Sequence, residues 1–178
     1  MSCDVCMYNQ CTSCNSKNNT CGTVASKTLP KITNAFLIVT QKCPLKCKYC
    51  FVHQMPKEID LKTAKDAAMF LARNALEVKE HPSINFFGGE PLLKWDDIIV
   101  PLTKFIRETY GNSFGLSFTT NGVLLDEEKL EFMQEYGISF LFSIDGDKKT
   151  QDLNRPFHNG KGSFDILKDK IPMVLKYA

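Results

Sequence analysis

Four short apolar runs, each followed by a stretch of helical periodicity, constrain this chain more than any other feature. Ala35–Thr40 is a continuous apolar run, as expected for a strand covered on both faces. Asp60 stands as an N-cap, and Leu61, Ala64, Ala68, Leu71 and Ala75 recur behind it at helical spacing. Ile84–Phe87 is a second run ending in Gly88–Gly89, after which Asp96 or Asp97 should open a helix carrying Ile98, Leu102, Phe105 and Ile106. Leu116–Thr120 is a third run, ending at Asn121–Gly122. Asp126 then caps a helix reaching Tyr136, where Gly137 supplies a left-handed stop. Phe140–Ile144 is the fourth run. A polar, Gly-containing loop leads to Ser163, the expected cap of a last helix that Pro172 should kink or interrupt.

The order βαβαβαβα predicts an α/β fold with a parallel sheet and right-handed crossovers. A full eight-unit barrel takes about 250 residues, so the stretch from Ala35 onward has room for about four units. Four strands leave an open sheet with exposed edges, and the chain reads as the front part of something longer or as a domain covered by a partner. Residues 1–33, rich in Cys, Asn, Ser, Thr and Lys, form a separate segment unable to bury a core alone; residues 34–178 form the α/β core.

Composition narrows the function. Hydrophobic residues make up 43% of the 178, enough for a real core, and the net charge is +2. With neither a basic surplus nor a Lys/Arg block, nucleic acid is not an expected partner. No apolar run approaches the roughly 20 residues that span a bilayer, and the polar N-terminus lacks a signal-peptide pattern. The expectation is a cytoplasmic protein without a membrane partner.

The eight cysteines are unevenly placed. Cys3, Cys6, Cys11, Cys14 and Cys21 lie in the N-terminal segment, Cys43, Cys47 and Cys50 follow the first strand, and none comes later. A disulfide framework would staple the whole fold; local clusters point instead to metal sites. The two C-x2-C pairs of the N-terminal segment admit zinc, a second iron–sulfur cluster, or a flexible thiol-rich tail that imitates or binds a cysteine-rich substrate.

Ligands of parallel sheets bind beyond the C-terminal strand ends, and the unusual residues gather there. The first loop reads Cys43-Pro-Leu-Lys-Cys47-Lys-Tyr-Cys50. Three thiolates can hold three corners of an iron–sulfur cube, leaving one iron open, whereas electron-transfer cubes use four cysteines. Alternatively, Cys43, Cys47, Cys50 and His53 could close a Cys3His zinc site. After the second strand, Gly88-Gly89-Glu90-Pro91 offers backbone close to a ligand and a carboxylate placed to accept from an ammonium group. Asn121-Gly122 and Ser143-Ile-Asp145-Gly146 end the third and fourth strands, where turn chemistry alone would also explain them. Lys42, Lys46 and Lys48 form either a docking face for an acidic electron donor or a solvated face.

The C-x3-C-x2-C loop, with Tyr49 just before its third cysteine, followed by Gly-Gly-Glu-Pro, resembles the signature of the radical S-adenosylmethionine (SAM) superfamily. The looser Thr-Asn-Gly and Ser-x-Asp-Gly stretches, with Gln151-Asp152-Leu-Asn-Arg155, resemble its peptide- and protein-modifying members of the SPASM or anaerobic sulfatase-maturase type; the usual histidine is Gln151 here. That resemblance implies a partial (β/α) barrel, usually of six strands. It implies a [4Fe–4S] cluster on Cys43, Cys47 and Cys50 whose open iron is chelated by SAM, and reductive cleavage of SAM to a 5′-deoxyadenosyl radical. Gly88, Gly89 and Glu90 would hold the SAM amino group, Ser143 the ribose, and Tyr49 would pack near the adenine, with Asn121 and Asp145 also at the cofactor. Arg155 would pair with the SAM carboxylate, unless it is a solvated loop arginine. The implied partners are a peptide or protein substrate and a low-potential electron donor such as flavodoxin or ferredoxin. A non-catalytic zinc- or iron–sulfur-binding domain and an electron carrier are the competing readings.

Overall fold

The computed structural model describes residues 31–177. The five cysteines of the N-terminal segment, and the metal site expected on them, lie outside the described residues. The described elements are β1 (Asn34–Thr40), α1 (Leu61–Val78), β2 (Ser83–Gly88), α2 (Val100–Tyr110), β3 (Gly115–Thr120), α3 (Glu127–Glu135), β4 (Ile138–Phe142), α4 (Lys148–Asn154) and α5 (Phe164–Lys176). The strands form one parallel sheet in the order β1-β2-β3-β4. This is the α/β architecture expected from the alternation.

Period-two alternation assigns each strand a helix-side face. Leu37 and Val39, Ile84 and Phe86, and Leu116 and Phe118 are buried there. They pack against Ala64, Ala68 and Leu71 of α1, Leu102 and Ile106 of α2, and Leu130 and Met133 of α3 in one core. The other face differs from expectation. Phe36 is 71% exposed and Ile38 51%, so β1 is covered on one side only among the described residues. A continuous apolar run conceals this, because both alternating sets are apolar.

Asp60 and Asp126 cap as expected, accepting from Thr63 N at 2.8 Å and Lys129 N at 2.9 Å. Other boundaries differ. Asp96 and Asp97 do not open a helix. A 3₁₀ turn, Pro91–Lys94, is capped by Glu90, and a π-helical turn, Trp95–Ile99, leads into α2. Strand β4 starts and ends two residues before the expected run, because Gly137 (φ 58°) turns straight into Ile138, which is buried in the core. The polar loop contains α4, capped by Asp147. Ser163 precedes α5 without capping it; Asp152 accepts the Phe164 N–H at 2.8 Å instead. Helix α5 continues through Pro172. The carbonyl Pro172 cannot serve belongs to exposed Lys168, where water can satisfy it.

No described helix is long and apolar enough to cross a membrane.

Candidate active site

The cysteine loop leaves β1 under tight backbone control. Gln41 N donates to Lys57 O and Ile59 N to Val39 O, so Lys57–Ile59 returns along the end of β1. On the other side, Lys46 N donates to Pro156 O at 2.7 Å and Lys48 N to Asn154 O at 2.9 Å, while Leu45 bridges Phe157. His158 Nε2 lies 3.1 Å from the Cys43 carbonyl. The segment after α4 thus straps the loop in place. Leu45 is fully buried and Cys47 half-buried, whereas Lys46 and Lys48 are exposed. Lys42 is tied to Glu58, which also takes Lys94.

Gly88 and Gly89 lock the loop's first residues. A Cβ on Gly88 (φ 133°) would stand 2.0 Å from the Thr40 carbonyl oxygen, and one on Gly89 would stand 2.2 Å from that of Lys42. Gly89 N donates to Thr40 O and Glu90 N to Lys42 O. From sequence, the missing side chains are expected to let the backbone approach a ligand. The space they would fill belongs first to the neighbouring backbone, and both glycines also line the pocket described below.

Glu90 is fully buried. Its Oε1 accepts from Thr120 Oγ1 at 2.8 Å and Leu92 N at 3.2 Å, and its Oε2 accepts from Asn121 N at 2.8 Å. Burial pushes its carboxyl up despite these three donors. The carboxylate stands behind the pocket wall and faces the end of β3, in contrast to the ligand-facing position expected from sequence. It organises that strand end. Asn121 in turn directs Nδ2 to Cys43 Sγ at 3.5 Å, and its Oδ1 accepts from Val123 N. Ser143 N donates to Thr120 O, carrying the order on to the end of β4.

Tyr49, Asp145 and Arg155 form a hydrogen-bonded cluster. The Tyr49 hydroxyl reaches the Asp145 carboxylate at 2.8 and 2.6 Å, and Arg155 Nε donates to Asp145 Oδ1 at 2.8 Å. The Arg155 guanidinium also sits 5.3 Å from the Tyr49 ring centre. Arg155 is therefore not a solvated loop arginine: only 17% of its side chain is exposed. Burial pushes the Asp145 carboxyl up, but the Tyr49 and Arg155 hydrogen bonds and the guanidinium charge outweigh it and hold it below the ordinary value. Burial pushes Cys43 up to about 11 and also raises Cys47, against the pull of Arg155.

One pocket gathers Cys43, Cys47, Cys50, Tyr49, Gly88, Gly89, Asn121, Ser143 and Arg155. Glu90 and Asp145 stand behind its lining. Phe51, Gln54, Phe87 and Thr119 join it without having been singled out in sequence. Phe51 stacks on Phe87 at 6.1 Å, and Gln54 Nε2 donates to the Leu45 carbonyl. Phe51 follows a proposed ligand directly, which was the one available signal. His53 is exposed and off the pocket. Among the described residues, no three His, Cys, Asp or Glu side chains gather closely enough to hold one metal ion.

The family model described as the radical SAM superfamily matches residues 37–177. The chain belongs to that superfamily. A cysteine-type anaerobic sulfatase-maturating enzyme of Clostridium perfringens is 28% identical over 156 residues, which cover 84% of this chain and 42% of that protein. An uncharacterized protein of Methanocaldococcus jannaschii is 36% identical over 135 residues, 74% of this chain and 45% of its own. Among solved structures, a polyhistidine-tagged anSMEcpe with bound AdoMet has a TM-score of 0.70 at 29% identity, covering 82% of this chain and 41% of that one. Native anSMEcpe with bound AdoMet and Cp18Cys peptide gives 0.70 at 26%, covering 82% and 40%. The sheet is thus part of a radical SAM partial barrel, and the chain spans less than half the length of these relatives. Membership of the superfamily implies SAM and a [4Fe–4S] cluster as cofactors.

Proposed function

We propose that this chain carries the cluster- and SAM-binding part of a radical SAM enzyme that modifies a peptide or protein. The supporting observation is convergence: three free thiols share one pocket with Gly88 and Gly89, and Asn121 contacts Cys43 from the end of β3. The donor set fits the group, because three reduced cysteines on a strapped loop can bind an iron–sulfur cube and leave one iron for a second ligand. When bound, cluster and SAM supply reductive cleavage to a carbon radical that takes a substrate hydrogen.

In this reading Cys43, Cys47 and Cys50 hold the cluster. The Gly88–Glu90 turn takes the SAM amino group, with the Glu90 carboxylate fixing that turn from the interior. Ser143 contacts the ribose, Tyr49 borders the adenine, and Asn121 supports Cys43. Arg155, oriented by Asp145, takes the SAM carboxylate. A peptide substrate is favoured because anSMEcpe has been captured with a peptide beside AdoMet. The electron would come from a low-potential carrier meeting exposed Lys46 and Lys48, which flank Cys47.

The closed zinc reading has less support. A tetrahedral zinc site needs a fourth ligand beside the three cysteines, and His53 is exposed and does not line the pocket they share.

Anaerobic reconstitution with iron and sulfide tests the proposal. The expected result is a visible iron–sulfur absorbance, lost in Cys47→Ala, whose electron spin resonance signal changes when SAM is added to the reduced protein. Zinc retained without colour would support the closed zinc site. A redox-active cluster indifferent to SAM would support an electron carrier.

A further inference from the structure

Gln151 stands where the family pattern has histidine, and it is fully buried. A buried amide is costly unless both of its ends are bonded. Here both are. The Asp145 N–H donates to Gln151 Oε1 at 2.8 Å, and Gln151 Nε2 donates to Ser163 Oγ at 2.9 Å. Ser163 Oγ donates to the Arg155 carbonyl at 2.7 Å, and Arg155 Nε returns to Asp145 Oδ1 at 2.8 Å. Within these four contacts each residue donates once and accepts once, so they close a ring with a single sense.

The ring fixes Arg155 at both its backbone and its side chain. Its carbonyl is held by Ser163, its Nε by Asp145, and Asp145 is itself held by Gln151 and by Tyr49 of the cysteine loop. Among the described residues the Nη groups of Arg155 have no hydrogen-bond partner, although the residue lines the pocket. We propose that Gln151 is a positioning residue, which closes this ring so that the guanidinium presents its Nη edge to a carboxylate in the pocket. The inference rests on the reading above, in which that carboxylate belongs to SAM. With the ring open, Arg155 regains rotamer freedom, and the ligand must order it on binding.

The test crosses two variants with two ligands. SAM and decarboxylated SAM are titrated by calorimetry into anaerobically reconstituted protein without reductant, with iron content matched. Gln151→Leu is expected to weaken SAM by roughly three- to tenfold, the cost of ordering one long side chain on binding, while binding of decarboxylated SAM stays unchanged. Ser163→Ala opens the same ring by deleting one hydroxyl and is expected to shift in the same ligand-selective way; it carries the test if Gln151→Leu does not fold. Equal weakening of both ligands, or of neither, would overturn the proposal. Arg155→Gln separates the two layers. If it weakens SAM selectively and the ring variants do not, the reading of Arg155 stands and the role of Gln151 falls. If it shows no selectivity, the Arg155 reading fails and the Gln151 proposal falls with it.

Discussion

The Glu90 carboxylate accepts the backbone N–H of Asn121 at 2.8 Å from a position with no solvent exposure. The contact joins the turn after β2 to the turn after β3, and through Asn121 it reaches Cys43. Three donors converge on this acid, and a carboxylate presents only acceptors to them. Glu90→Gln replaces one oxygen with an NH2 that faces a donor. The expected loss is about 1–3 kcal/mol of stability, measured by urea unfolding, with a parallel fall in cluster retention. Unchanged stability would mean that the three contacts contribute little.

Gly89→Ala places a methyl 2.2 Å from the Lys42 carbonyl oxygen, which belongs to backbone and cannot swing away. Overpacking of this kind costs about 1–3 kcal/mol. Because Lys42 adjoins Cys43, iron uptake should drop along with the melting temperature. A variant that melts normally yet fails to load iron would show that the glycine serves the ligand alone.

Asp145 yields a pH prediction. Burial raises its carboxyl, and the bonds from Tyr49 and Arg155 pull it below the ordinary value of 3.8. A carboxylate depressed in this way stabilises the fold above its ordinary value, and the contribution is lost as pH falls through the depressed one. The stability gap between wild type and Asp145→Asn should therefore be full at neutral pH and close as pH drops below 3.8. Chemical unfolding of both proteins from neutral pH to about pH 3 measures it. A gap of constant size across that range would contradict the assignment.

Arg107 donates to four carbonyls, those of Tyr136, Gly111, Phe114 and Gly137. It joins the end of α2 to the starts of β3 and β4. Arg107→Met keeps the apolar stem but strips the donors, and should cost about 2–3 kcal/mol without altering SAM affinity in the protein that remains folded. Thermal melting and ligand titration of the same sample check both halves.

Much of this was legible in the sequence because strand runs, Asp caps and the convergence of strand ends are local signals. Asp60, Asp126 and the cysteine loop announce themselves within a few residues. What escaped depends on distant partners. Helix α4 was hidden because its exposed Leu153 leaves no apolar stripe, and only Asp147 with Thr150 marked its start. Ser163 looks like a cap by type, but its hydroxyl is taken by Gln151 and Arg155. The second role of the glycine pair, making room for the carbonyls of Thr40 and Lys42, gave no local signal because those atoms are remote in sequence. Arg107 gave no signal, since its partners are main-chain carbonyls.

The strap between the cysteine loop and Asn154–His158 sets an order of events during synthesis. Leu45 leaves the ribosome long before Phe157 exists to bridge it, so the nascent thiols meet the cell on an unbraced loop. Delivery of iron and sulfide to a braced site must wait until the fourth unit has emerged. The three thiols therefore stay without their brace while the stretch from Leu45 to Phe157 is being made.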